Sequence, residues 1–295
     1  MLLNMKDLLK VAYDNKFTIG AFNCTDLSNF KCVYETAEKL QAPTIIAVTG
    51  AELEFGGENY FTFIREKLMG SKIPYVLHLD HGKNLKECIR AIQCGFTSVM
   101  IDASHLPYEE NVKTTKEVCD IAHLVNVSVE GELGTIGTTG LSDEDGTNII
   151  YTQPEEVVDF VAKTGVDSLA IAIGTSHGLY PEGFKPVLQL ELLKKIREVS
   201  DIPLVLHGGS GQDDEQIRQA SKIGIQKINV ASEFKAAESY ALAKLVNETK
   251  QFKFVSLMPE AMKPAKEVIE HKMDVFGCID KAYLYYSDLR KGEYK

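Results

Sequence analysis

The sequence predicts a closed (β/α)8 barrel, an α/β TIM-barrel fold with an extra N-terminal helix and extra C-terminal helices. Three observations carry this. Eight short β-branched runs alternate with longer amphipathic stretches. The runs are almost continuously apolar, as suits parallel strands covered on both faces. The first run ends Ala21-Phe22-Asn23-Cys24, not in the Gly-rich turn that a doubly wound dinucleotide fold requires.

The elements follow in order. Residues 1–16 read as the extra N-terminal helix, and FTIGAFN (17–23) and PTIIAVT (43–49) as the first two strands. IPYVLHLD (73–80) precedes a helix over 84–94, with Leu85, Cys88, Ile89 and Ile92 on one stripe and Asn84 as N-cap. TSVMIDAS (97–104) is followed by a helix over 109–125, and NVSVEGEL (126–133) by a long loop and a helix over 154–163. Thr152 and Glu155 have capping-box spacing at the start of that helix. DSLAIAIG (167–174) leads to a helix over 187–199, IPLVLHGG (202–209) to one over 213–223, and IQKINVAS (225–232) closes the barrel. Gly95, Gly165 and Gly224 follow predicted helices, where glycine is favoured. Final helices are expected over 233–249 and 258–276, with a polar connection around 246–257. Residues 1–295 thus read as one barrel domain, a normal size for this architecture.

Composition narrows the functions. The chain has 32 Lys and Arg against 42 Asp and Glu, a net charge of −10, which disfavours nucleic acid and anionic membranes as partners. No apolar run approaches the roughly 18 residues of a membrane span. The N-terminal stretch has early charges and no apolar signal region. Six cysteines, none in a C-x-x-C pair, read as reduced, packed thiols. These features lead us to expect a cytoplasmic protein.

The chemistry collects at strand ends. Five of seven histidines (His78, His81, His105, His177 and His207) lie at or just past such ends, where barrels place active residues. His81, His177 and His207 follow the third, sixth and seventh runs and suit a Zn²⁺ site with an open fourth position. Singly, each is better explained as a hydrogen-bonding, partly buried histidine with no metal; the set favours metal. Asp80 adjoins His81 and is either a general acid/base or a carboxylate orienting a histidine. His78, on the same strand, reads as a neighbour. Glu130 and Glu132 share one strand face, and either approaches the metal or forms an ion pair inside the barrel. HGGSG (207–211) and NVAS (229–232) each precede a helix, in the loops where this fold usually holds phosphate. The polar segment 134–148, with Asp143, Glu144 and Asp145, reads as a lid or as a solvated loop.

Together these residues resemble the class II, zinc-dependent ketose-bisphosphate aldolases. The matching stretches are HLDHG (78–82), MIDASH (100–105), VEGELG (129–134), AIGTSHGLY (172–180), LVLHGGSG (204–211) and KINVAS (227–232), with 258–278 similar to the family's C-terminal region. The resemblance implies that His81, His177 and His207 bind zinc and that Asp80 is the acid/base serving the aldehyde oxygen. It implies that Glu132 approaches zinc when substrate is absent and that Asp102 is a carboxylate near the metal or a secondary cation. Gly178, Gly208, Gly209 and Ser210 match loops that hold the ketone-side phosphate and a monovalent cation, Na⁺ or K⁺. Asn229, Ala231 and Ser232 match substrate-binding positions, and Glu144 resembles a mobile-loop proton donor. The implied reaction is reversible cleavage of a ketohexose 1,6-bisphosphate to dihydroxyacetone phosphate and glyceraldehyde 3-phosphate. A homodimer or homotetramer is implied, and some members of this branch need an accessory subunit.

Two positions depart from the family pattern. Ala231 stands where fructose-specialised members often carry Asp, which leans toward tagatose bisphosphate. Pro181 stands where many members carry Lys, leaving Lys185 as a substitute cation. The rival readings are a metal-dependent barrel hydrolase, a Schiff-base aldolase through Lys227, an aldolase for another phosphorylated sugar and a non-catalytic sugar-phosphate-binding subunit. The hydrolase lacks its usual H-x-H after the first strand. Lys227 precedes Asn229 and does not end its strand.

Overall fold

The computed structural model describes residues 1–139, 149–181, 183–184 and 186–286. Glu144 and Lys185, and most of the expected lid, lie outside the described residues. The first half of the chain runs α1 (Met5–Asn15), β1 (Ile19–Asn23), α2 (Leu27–Leu40), β2 (Thr44–Thr49), α3 (Gly50–Gly56), α4 (Glu58–Met69), β3 (Tyr75–Gly82), α5 (Leu85–Gln93), β4 (Ser98–Ile101) and α6 (Tyr108–Ala122). It continues β5 (Ser128–Leu133), β6 (Gly137–Thr138), α7 (Pro154–Thr164), β7 (Ser168–Ile171), β8 (Ser176–His177), α8 (Leu190–Val199) and β9 (Leu204–Leu206). The described chain finishes with α9 (Asp214–Ile223), β10 (Ile225–Val230), α10 (Ser232–Thr249), α11 (Phe254–Phe276) and a short 3-10 turn.

Eight parallel strands close into a barrel in the order β1-β10-β9-β7-β5-β4-β3-β2. They are the eight runs read from the sequence. Strand alternation explains the two layers of the core. Val99, Val129, Leu169, Leu204 and Ile228 belong to the large core that packs the helices on the barrel. Their neighbours Met100, Ala170 and Val205 form a separate apolar cluster. On that same alternation lie Ser98, Ser128, Glu130, Ser168, His207 and Lys227, all buried. The inner layer is therefore polar on several strands.

Local signals set several helix starts. Asn84 accepts the Glu87 N–H at 3.0 Å, and Asp213 accepts the Gln216 N–H at 3.0 Å. The capping box forms at Thr49 with Glu52, not at Thr152 with Glu155. Thr152 is fully buried; its hydroxyl donates to the Leu133 carbonyl and accepts the Ala172 N–H at 2.8 Å. It joins the end of β5 to the segment after β7, so it is not free to cap α7. The connection between the last two helices is also shorter than expected, residues 250–253, because α11 begins at Phe254. Pro259 and Pro264 lie inside α11. Proline disfavours a helix interior, and here dense packing of the second half outweighs it: Ala265, Ile269, Met273 and Phe276 are all buried. Among the described residues no helix is long and apolar enough to cross a membrane.

Candidate active site

Asp80 and His81 are consecutive in β3, yet both serve one end of the barrel. In a regular strand they would face opposite ways. The β3–β4 register shifts between Leu79 and Gly82, and His81 has φ of 48°. This bulge and left-handed residue turn His81 toward Asp80's side of the sheet. Such a backbone costs roughly 1–3 kcal/mol at a non-glycine residue and gathers at functional sites.

Asp80 is buried and gripped at both carboxylate oxygens. Asn23 Nδ2 of β1 donates to Oδ2 at 2.9 Å, and Asn229 Nδ2 of β10 donates to Oδ1 at 2.8 Å. Burial opposes its ionisation, but the fields of His81, His207 and Lys227 outweigh burial and hold the carboxyl well below its usual range. Sequence reading did not single out Asn23. Its signal was available: a polar residue ending an apolar strand, like the histidines.

Three imidazoles converge beside Asp80. Ligand atoms of His81, His177 and His207 lie within 4.8 Å of one another, and so do those of His81, Asp102 and Glu132. His81 reaches Asp102 through Nδ1 at 2.9 Å, and Asp102 also accepts from the Ser104 N–H and hydroxyl. His207 reaches Glu130 through Nε2 at 2.9 Å. A carboxylate only accepts hydrogen bonds, so both outer ring nitrogens carry protons. The inner nitrogens, His81 Nε2 and His207 Nδ1, lie 2.7 Å apart. His207 resists taking a second proton, because burial first and His81 next push its pKa down to about 4. Ring nitrogens of His81, His177 and His207 converge within one ion's reach. The donor set therefore fits a metal ion, and the carboxylate–histidine pairs match the usual outer support of one.

His177 arrives differently. It lies beyond β7 on β8, which pairs with β6 outside the barrel, Thr138 opposite His177. Sequence reading missed this two-stranded sheet, because two-residue strands carry no periodicity. His78 sits below the cluster, with Nδ1 against Ser98 Oγ at 2.9 Å, and burial pushes its pKa down to about 3. His105 is exposed, while His123 and His271 pair with Asp167 and Asp214.

The glycine-rich loops lie where expected, with one correction. The Gly209 N–H is not free for phosphate, since it donates to the Asn229 carbonyl at 2.9 Å. A Cβ there would meet Ile228 Cγ2 at 2.4 Å and Asn229 O at 2.7 Å, so glycine permits this close approach. Gly208 has φ of 67°, and Ser210 Oγ accepts the Glu233 N–H at 3.3 Å. Ala231 precedes the first turn of α10, which begins at Ser232.

A model of the class II fructose-bisphosphate aldolases matches residues 3–281. The chain belongs to that family. It is 39% identical over 291 residues to the D-tagatose-1,6-bisphosphate aldolase subunit GatY of Klebsiella oxytoca, covering 94% of this chain and 98% of that one. The YdjI aldolase of Escherichia coli K12 superposes with a TM-score of 0.84 at 32% identity, covering 96% of this chain and 100% of that one. Fructose-bisphosphate aldolase of Campylobacter jejuni shares the fold, with a TM-score of 0.78, 22% identity and coverage of 94% and 96%. The enzyme is thus a class II aldolase, a carbon–carbon lyase of a generally metal-dependent family that acts on small phosphorylated sugars. Lys227 is fully buried with its ammonium against Glu130, so a Schiff-base role gains no support.

Proposed function

We propose that this class II aldolase reversibly cleaves a ketohexose 1,6-bisphosphate, with tagatose preferred over fructose, to dihydroxyacetone phosphate and glyceraldehyde 3-phosphate. The observation that carries the reading is the convergence of His81, His177 and His207, with ligand atoms within 4.8 Å of one another, beside ionised Asp80. His81, His177 and His207 would hold Zn²⁺, with Glu132 near it. When bound, zinc supplies Lewis acidity to the ketone oxygen and stabilises the charge left as the C3–C4 bond breaks. Asp80 takes the proton of the C4 hydroxyl in cleavage and returns it to the aldehyde oxygen in condensation. Asn23 and Asn229 hold the carboxylate so that one geometry serves both directions. Asn229 Oδ1 is buried without a hydrogen-bond partner among the described residues, which supports its contact with a substrate hydroxyl.

Gly178, Gly208, Ser210 and Ser232 would cradle the ketone-side phosphate, with Gly209 shaping the loop and Lys185 adding charge. Thr175 Oγ1 and Gln212 Oε1, buried and likewise without partners among the described residues, support a monovalent cation in these loops. Glu144 remains our choice of mobile proton donor, and Asp102 orients His81. The tagatose preference rests on Ala231 and on the likeness to GatY, a protein named as a subunit. We extend that likeness to a homodimer or homotetramer in the cytoplasm that an accessory subunit assists. Exposed Phe252, Phe254 and Val255 around the α10–α11 connection support self-association.

A coupled cleavage assay with both bisphosphates tests the reading. Faster tagatose cleavage, loss in chelator and recovery with Zn²⁺ are expected, and Asp80→Ala should keep zinc and lose turnover. Equal rates would remove the argument from Ala231. Full activity in strong chelator, or a turning-over Asp80→Ala enzyme, would end the proposed mechanism.

A further inference from the structure

We infer that Glu130 and Lys227 form a positioning pair that dictates which ring nitrogen of His207 faces the metal site. The inference deepens the metal reading above and rests on it.

Glu130 of β5 and Lys227 of β10 come from strands separated in the barrel by β7 and β9. Their side chains meet across the interior. Lys227 Nζ lies 2.9 Å from Glu130 Oε1 and 2.8 Å from Oε2, with His78 Nε2 at 3.3 Å. Glu130 Oε1 also takes the His207 Nε2 contact at 2.9 Å. Glu130, Lys227, His78 and His207 are all fully buried. Lys227 is level with Val205 of β9, two residues before His207 in the chain.

Tautomer choice follows from acceptor chemistry. A neutral imidazole places its one proton on either nitrogen, and the hydrogen bond made by the other decides which. An ionised carboxylate at Nε2 allows only the Nε2–H form and leaves Nδ1 bare toward His81. A carboxamide in its place would donate or accept equally well and lose that selection. A carboxylate without a cation would be costly at this depth. Lys227 supplies that cation through its contacts with both Glu130 oxygens. It acts through Glu130.

Two variants test the pair: Glu130→Gln, and Glu130→Gln with Lys227→Met, which removes both charges together. Three readouts are used. They are the ring ¹⁵N shifts of His207 in metal-free protein, zinc affinity by competition with a chromophoric chelator, and the visible spectrum of the Co²⁺-loaded protein. Wild-type protein should show His207 as the Nε2–H tautomer. Both variants should show a tautomer mixture, an altered Co²⁺ spectrum and zinc binding weaker by about 10–100-fold, the usual effect of removing an outer partner of a ligand. The double variant should melt near the wild type, which separates lost positioning from lost folding. A double variant that melts lower but keeps the wild-type tautomer and zinc affinity would show a purely structural pair and overturn the inference. If wild-type protein fails to bind zinc, the metal reading falls, while the metal-free ¹⁵N shifts still decide the role of the pair.

Discussion

Asn23 and Asn229 hold Asp80 from two sides, and the two amides differ in what else they offer. Asn229 presents a buried carbonyl oxygen to the site, whereas the described role of Asn23 is its bond to Asp80 Oδ2. Hydrogen bonds to a charged group contribute about 1.5–3 kcal/mol. Asn23→Ala should therefore lower kcat by roughly 10-fold or more while zinc content stays at the wild-type level. Steady-state kinetics with metal analysis would check this, and an unchanged kcat would leave Asn229 as sole support of Asp80. Asp80 and His81 were legible as a pair from HLDHG. The bulge that aims both at one site was not, because it depends on the register with β4.

At the scale of elements, the β6–β8 sheet is the least regular part of the site and the one that places His177. Its width is set by Gly137, where a Cβ would meet Ser176 Oγ at 2.7 Å and Ile149 Cγ1 at 2.9 Å. Gly137→Val should splay the two strands and shift His177 while leaving the barrel strands untouched. We expect zinc affinity to fall by about 10-fold or more, as when a ligand's support is lost, with little change in melting temperature. Chelator competition and a thermal melt measure both, and retained affinity would show that β6 does not position the ligand. The eight barrel strands were readable because their apolar runs are long. The α11 start at Phe254 was not, since Phe252, Phe254 and Val255 point into solvent and form no buried stripe.

Across the whole molecule, the net charge of −10 and the proposed bisphosphate substrate are reconciled by locality. Backbone dipoles and the proposed metal would act within a few ångströms, while the surface excess is screened beyond about 8–10 Å in physiological salt. The cysteines make a second global statement. All six are buried and free of disulfides, and burial raises the thiols of Cys32, Cys88, Cys119 and Cys278 to about 12. Native protein at pH 8 should therefore react negligibly with a thiol reagent, and denatured protein should release all six. Rapid labelling of a native thiol would show that the barrel's packing opens more readily than this burial implies.

Residue order alone determined the barrel, the ring of polar strand ends and the histidine set, because strand alternation and strand-end chemistry are local in the chain. The outer partners needed the closed fold. Glu130 was legible as a carboxylate and Lys227 as a strand lysine, but their pairing spans 97 residues of sequence. Likewise Asp102, past β4, reaches His81 on the adjacent β3, and Asn23 of β1 reaches Asp80 of β3 across the intervening β2. Distance along the chain hides such contacts, and barrel closure creates them.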